Sequence, residues 1–199
     1  MTTAREVAYD VISAVRTSDA YANLLLPREI VRAGLSSGDA ALATELTYGT
    51  LRRIGTYDAI ISAAAGRPAA DIDPPVLDAL RLGAHQVLAT RVPAHAAVNE
   101  TVELARQAAG RKVTGFANAV MRRITERDEE AWLARVEEVA RSDDERLSIR
   151  AAHPVWVIRA LRRALAAEGR ADELADLLAA DNAAPHVTMA GLPGLPEPP

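Results

Sequence analysis

Apolar residues recur three and four positions apart along almost the whole chain, and this helical period limits the possible folds more than any other feature. Ala4, Val7, Ala8, Val11, Ile12 and Val15 mark a first amphipathic helix. Ala22 to Ala33 reads as a second, with Pro27 restricting where it can begin and Gly34 a natural stop. Ser36 and Ser37 offer caps for a third helix that runs to about Arg53. Tyr57, Ile60, Ile61 and Ala64 line a shorter helix, closed by Gly66-Arg67-Pro68. Asp73 before Pro74 and Pro75 reads as a capping carboxylate followed by prolines in the first turn. Val76, Leu77, Leu80, Ala84, Val87 and Leu88 form the stripe that follows. Val98, Val102, Ala105 and Ala109 make another, stopped by Gly110. Val113, Phe116, Ala117, Val120, Met121 and Ile124 trace the clearest amphipathic helix. No stretch before residue 185 sustains the period-two alternation of a half-buried strand, so the expected fold class is all-α.

The 199 residues suit one domain, or one domain with a linker. Aromatic residues are scarce, so alanine, leucine and valine must fill most of the core, and alanine and leucine are strong helix formers. From Asp128 onward the character turns acidic. Trp132, Val136 and Val139 suggest one helix; Val157, Ile158, Leu161 and Leu165 another; Leu174, Leu177 and Leu178 a third. Pro185 to Met189 could begin a strand, and the remainder to Pro199 has turn chemistry. The expected organisation is a bundle over residues 1–127, a helical linker segment over 128–184, and over 185–199 the start of a following, truncated domain.

The search for catalytic chemistry is mostly negative. The absence of cysteine excludes disulfides, thiolate metal sites and cysteine nucleophiles. Gly110 and Gly115 are spaced like the glycines of a phosphate loop, but Phe116 stands where that loop needs lysine. His85, His95, His153 and His186 lack ligand spacing, so no metal is expected. Glu100 and Glu103 could do acid–base work, but Glu103 with Arg106 reads better as a solvated ion pair one turn apart. No apolar run approaches the ~20 residues of a membrane span, and the N-terminus lacks a signal pattern. The chain reads as soluble and cytoplasmic.

What remains is a pattern of cations. Residues 1–127 carry 15 basic against 13 acidic side chains, whereas residues 128–199 carry 8 against 14. Any nucleic-acid contact must therefore come from a local basic face. Arg111, Asn118 and Arg122 nearly align opposite the apolar stripe of their helix, flanked by Lys112, Arg123 and Arg127. Arg52 and Arg53 end the third helix, and Arg5 lies in the first. Such groups can follow a phosphate backbone, although arginines at helix ends also complement the helix dipole.

Four stretches carry a resemblance. Residues 41–53 read ALATELTYGTLRR, 73–88 DPPVLDALRLGAHQVL, 92–105 VPAHAAVNETVELA and 115–124 GFANAVMRRI. In order and spacing they resemble the NusB-like N-terminal domain of the bacterial 16S ribosomal RNA cytosine-5 methyltransferases, the RsmB, Sun or Fmu family. The resemblance runs from about residue 4 to residue 126. NusB, a transcription antitermination factor, shares part of these signatures but would be expected to end near residue 126. His153-Pro154-Val155-Trp156 is similar to the family's Ser-His-Pro-x-Trp element, with Ala152 in place of serine. Asp181-Asn182-x-x-Pro185-His186-Val187-Thr188 is similar to the entry into its second part.

The resemblance implies a NusB-like helical bundle followed by a helical linker, acting as the RNA-contacting front of an enzyme. The parent enzyme would use S-adenosylmethionine on a Rossmann-like domain and a cysteine thiolate that adds to C6 of cytosine. No cofactor is expected in this fragment. The implied partners are 16S ribosomal RNA and the C-terminal methyltransferase domain of the parent chain, with no membrane. Arg5, Arg53, Arg111, Lys112, Arg122 and Arg123 are the RNA-binding candidates. Val98, Val102, Leu104, Phe116 and Val120 would be core or core-edge residues. Asn99 and Asn118 would hydrogen-bond helix ends or loops, and Tyr48-Gly49 would permit close helix approach. Arg52 is either another RNA contact or a buried partner of Glu45 or Glu100. Two other readings stay open: a NusB-type factor that binds RNA together with a ribosomal protein, and a helical protein-interaction module.

Overall fold

The computed structural model describes residues 2–183, and among them eleven α-helices and three short 3₁₀ turns occur with no strand. The helices are α1 (Ala4–Ser18), α2 (Ala22–Ala33), α3 (Ser37–Arg52), α4 (Ile54–Ala65), α5 (Pro74–Ala89) and α6 (Ala94–Ala109). They continue as α7 (Thr114–Ile124), α8 (Glu129–Glu137), α9 (Asp143–Ala151), α10 (Val155–Ala167) and α11 (Leu174–Asn182). The strand expected over 185–189 and the domain start expected over 185–199 lie outside the described residues.

Local chemistry sets most helix ends. The Thr3 hydroxyl accepts from the Glu6 amide while the Glu6 carboxylate accepts from the Thr3 amide, a reciprocal cap for α1. Ser36 caps α3 through the Asp39 amide. Pro27 lies inside α2 rather than near its start, on an exposed face. Asp73 occupies the N-cap of α5, yet its carboxylate caps nothing. Pro74 and Pro75 have already removed the amides at the first two helical positions, so little is left to cap.

Helix α5 is the axis of the bundle, packing on α1, α3, α4, α6 and α7. Its side chains are buried almost all round, including the polar Asp78, His85 and Gln86. Each has a partner, as burial requires. Arg16 Nε and Arg81 Nη1 donate to the Asp78 carboxylate at 2.7 and 3.0 Å. Tyr57 and His85 Nδ1 are hydrogen-bonded at 2.8 Å, and Arg5 Nε donates to Gln86 Oε1 at 2.7 Å. Two glycines let the helices close on α5. A Cβ at Gly49 of α3 would overlap the His85 imidazole, and one at Gly83 would overlap Thr101 and lie 2.8 Å from the Met121 sulfur. The close approach expected at Tyr48-Gly49 is thus present.

The main apolar core runs past residue 127. Trp132 and Val136 of α8 are buried within it, and Trp132 Nε1 donates to the Ile124 carbonyl at 2.9 Å. Thr56 of α4 donates to the Ile149 carbonyl of α9. A separate apolar cluster of Ile158, Leu165, Leu174 and Leu178 joins α10 and α11, with Leu147 and Ala151 of α9 packed against it. His153 links the start of α10 to Asp181 near the end of α11 at 2.7 Å.

Candidate nucleic-acid interface

Helix α7 begins at Thr114, after a 3₁₀ turn over Arg111–Val113 and Gly110 at φ +85°. Arg111 therefore lies in the 3₁₀ turn before α7, which shifts it by about 60° from the expected alignment with Asn118 and Arg122. A 3₁₀ turn advances about 120° per residue against about 100° in an α-helix, so extrapolating the helical wheel back across it misplaces the side chain. Asn118 and Arg122 keep their one-turn relation.

Another constellation takes its place. The Arg67 guanidinium, from the loop after α4, stacks over the Phe116 ring at 4.2 Å from its centroid. Arg67, Lys112, Phe116 and Asp73 rim a notch of about 130 Å³ whose floor includes Ile72 and Val76. One helical face further on, Arg123 Nη1 donates to the Ala64 carbonyl at the end of α4, at 2.8 Å. Arg127 lies over the buried Trp132 ring. Arg67 was not a candidate in the sequence, because nothing local ties Gly66-Arg67-Pro68 to Phe116.

The six predicted residues separate into two kinds. Arg5 is half-buried and held by Gln86, and Arg53 is half-buried, paired with Glu129 and placed beside the Tyr57 ring. Arg111, Lys112, Arg122 and Arg123 are exposed, and among the described residues none of them forms an ion pair. Most arginines of the acidic half differ: Arg141, Arg146, Arg150, Arg159, Arg162 and Arg170 each hold a carboxylate, whereas Arg135 and Arg163 form no ion pair among the described residues. Glu103 and Arg106 form the expected solvated pair, which holds the Glu103 carboxyl down at about 2.

Two expectations are corrected. Among the described residues neither Asn99 nor Asn118 makes a side-chain hydrogen bond, and Asn99 is exposed, because α6 and α7 close their ends through backbone groups instead. Arg52 pairs with neither Glu45 nor Glu100, because Glu45 turns toward His85, 3.4 Å from Nε2, and Glu100 is exposed on α6. Arg52 instead lines a cleft of about 500 Å³ between the bundle and the α9 and α11 helices, with Glu45, Arg53, His85, Glu129 and Arg150. Burial pushes the His85 imidazole below its ordinary value, opposed by Glu45. Burial also pushes the Tyr57 hydroxyl up. His85 Nε2, which borders this cleft, is buried without a hydrogen-bond partner.

The NusB family model matches residues 2–126. The chain belongs to the NusB family. The family's stretch spans α1 to α7, and so contains Arg67, Asp73, Phe116 and the unpaired cations around α7. Individual relatives extend the likeness. A Mycobacterium tuberculosis (strain ATCC 25618 / H37Rv) protein named "Putative methyltransferase" is 45% identical over 193 residues, covering 96% of this chain and 42% of the relative. A Bacillus subtilis (strain 168) protein named "Probable ribosomal RNA small subunit methyltransferase B" is 30% identical over 159 residues, 79% of this chain and 34% of its own. The ribosomal RNA small subunit methyltransferase B of Pseudomonas syringae pv. tomato (strain ATCC BAA-871 / DC3000) is 32% identical over 185 residues, 93% of this chain and 38% of its own. The NusB-family chain thus spans between a third and about two fifths of the length of these relatives. None of its described helices is long and apolar enough to cross a membrane.

Proposed function

We propose that this chain is the RNA-binding N-terminal region of an S-adenosylmethionine-dependent 16S ribosomal RNA (cytosine-5) methyltransferase, and that it helps position the RNA. The observation that carries the reading is the group of exposed cations without carboxylate partners around α7: Arg111, Lys112, Arg122 and Arg123, with Arg67 stacked on Phe116. An unpaired guanidinium or ammonium can neutralise a phosphate without first giving up a carboxylate. The names of the relatives supply the substrate class, and the share of their length left uncovered supplies room for a catalytic part. Arg5 and Arg53 serve the bundle's interior in this reading.

S-adenosylmethionine does not fit the residues of this chain. Among those described there is no strand leading through a glycine-rich loop to a helix, and the sequence has no cysteine to serve as nucleophile. The methyl-transfer chemistry is assigned to the rest of the parent protein.

Filter binding of a 16S ribosomal RNA fragment at several salt concentrations tests the proposal. Affinity should fall linearly on a log–log plot with salt, with a slope of about −0.7 to −0.9 per phosphate neutralised. Arg122→Glu with Arg123→Glu should weaken binding and flatten that slope. An unchanged affinity in the double variant would remove the α7 face from the interface.

A further inference from the structure

The notch beside α7 contains a group that phosphate binding leaves without a use. Asp73 lines it, and its carboxylate caps no helix amide and joins no ion pair among the described residues. A carboxylate beside two cations weakens the site for phosphate. It would have a use if part of the ligand were a hydrogen-bond donor.

The surroundings specify such a ligand. Phe116 is half-buried and the exposed Arg67 guanidinium lies over its ring, 4.2 Å from the centroid, so ring and guanidinium together offer planar groups at the notch. Unpaired RNA bases stack on both aromatic rings and arginine planes. The notch, about 130 Å³, admits a single heterocycle over the buried Ile72 and Val76, but no helix or strand. Lys112 on its rim is placed for the neighbouring phosphate. We infer that one unpaired RNA base enters this notch, and that Asp73 selects a base carrying an exocyclic amino group over uracil. The inference rests on the RNA-binding reading above and adds base selectivity to it. Asp73 would accept from the amino group of cytosine, and would meet the O4 acceptor of uracil with repulsion.

Cytosine and uracil differ at just this edge, so short oligocytidine and oligouridine form the test. Their binding is followed by fluorescence anisotropy in dilute salt. The unaltered chain should prefer oligocytidine by about five- to tenfold, within the range for readout of a base edge. Asp73→Asn should bring the two affinities together while binding both. Asparagine is as good an N-cap as aspartate, and a matching thermal melt verifies that the fold is kept. Equal affinities in the unaltered chain, or a preference that survives Asp73→Asn, would overturn the assignment of Asp73 while leaving RNA binding intact. Binding of neither oligomer would overturn the RNA-binding reading as well.

Discussion

Replacing Gly49 with alanine should destabilise the bundle through one side chain, His85. The new methyl would overlap the imidazole, which is almost fully buried and held from its other edge by Tyr57 at 2.8 Å, so the ring has no room to withdraw. Overpacking of this kind costs about 1–3 kcal/mol. A glycine-to-alanine change inside a helix gains about 1 kcal/mol of propensity, which offsets part of that cost. A net loss of up to about 2 kcal/mol is expected, or up to about 8 °C in Tm for a chain of this size. In a His85→Ala background the overlap disappears and only the propensity gain remains, so Gly49→Ala should then stabilise by about 1 kcal/mol. The assay is a double-mutant cycle by urea denaturation, with an expected coupling of about 1–3 kcal/mol, within the range for residues in contact. If Gly49→Ala costs the same with and without His85, the imidazole is not what requires glycine, and the account of how α3 meets α5 is wrong.

Two further outcomes follow from buried groups. Because burial lowers the His85 pKa from its ordinary 6.5, the folded state favours the neutral ring and the unfolded chain binds the extra proton. Stability should be fully present above that value and fall as pH drops through it, and His85→Gln should flatten this part of a denaturation-versus-pH curve. Trp132→Phe keeps most of the apolar contact but leaves the Ile124 carbonyl without its indole donor. It should cost about 1–3 kcal/mol in urea unfolding, and a loss near zero would mean that the bond does not tie α8 to the bundle.

The helical period made most of the described helices legible because it is a local signal that packing reinforces. Helix α5 shows where that signal stops. Asp78, His85 and Gln86 look like a polar face along the sequence, yet all are buried, because Arg16, Tyr57 and Arg5 meet them from 62, 28 and 81 positions away. No pattern within the helix can announce such partners. The site divides in the same way. Lys112, Arg122 and Arg123 could be picked out as cations beside an amphipathic helix. Arg53 could not be told from them until Glu129 was placed against it. Arg67 and Asp73 acquire meaning only where they converge on Phe116. The misplaced Arg111 has a local cause, a 3₁₀ turn where the sequence suggested continuous α-helix.

A net charge of −4 argues against RNA binding only if charge is counted without regard to position. In the acidic half, Asp144 is shared between Arg159 and Arg162, while Glu173 and Glu168 hold Arg170. Such close pairs largely cancel at a distance, and salt screens what remains beyond about 8–10 Å. A phosphate approaching α7 therefore responds mainly to the cations within that radius, and there Arg111, Lys112 and Arg122 have no neighbouring carboxylate holding them. Asp73 lines the same notch as Lys112 and Arg67 and joins no ion pair among the described residues. If the surface served phosphate alone, replacing that carboxylate with a neutral side chain would strengthen binding to every RNA equally. Pairing, rather than net charge, thus makes the face attractive to a polyanion, and the Asp73 carboxylate separates backbone attraction from base selection.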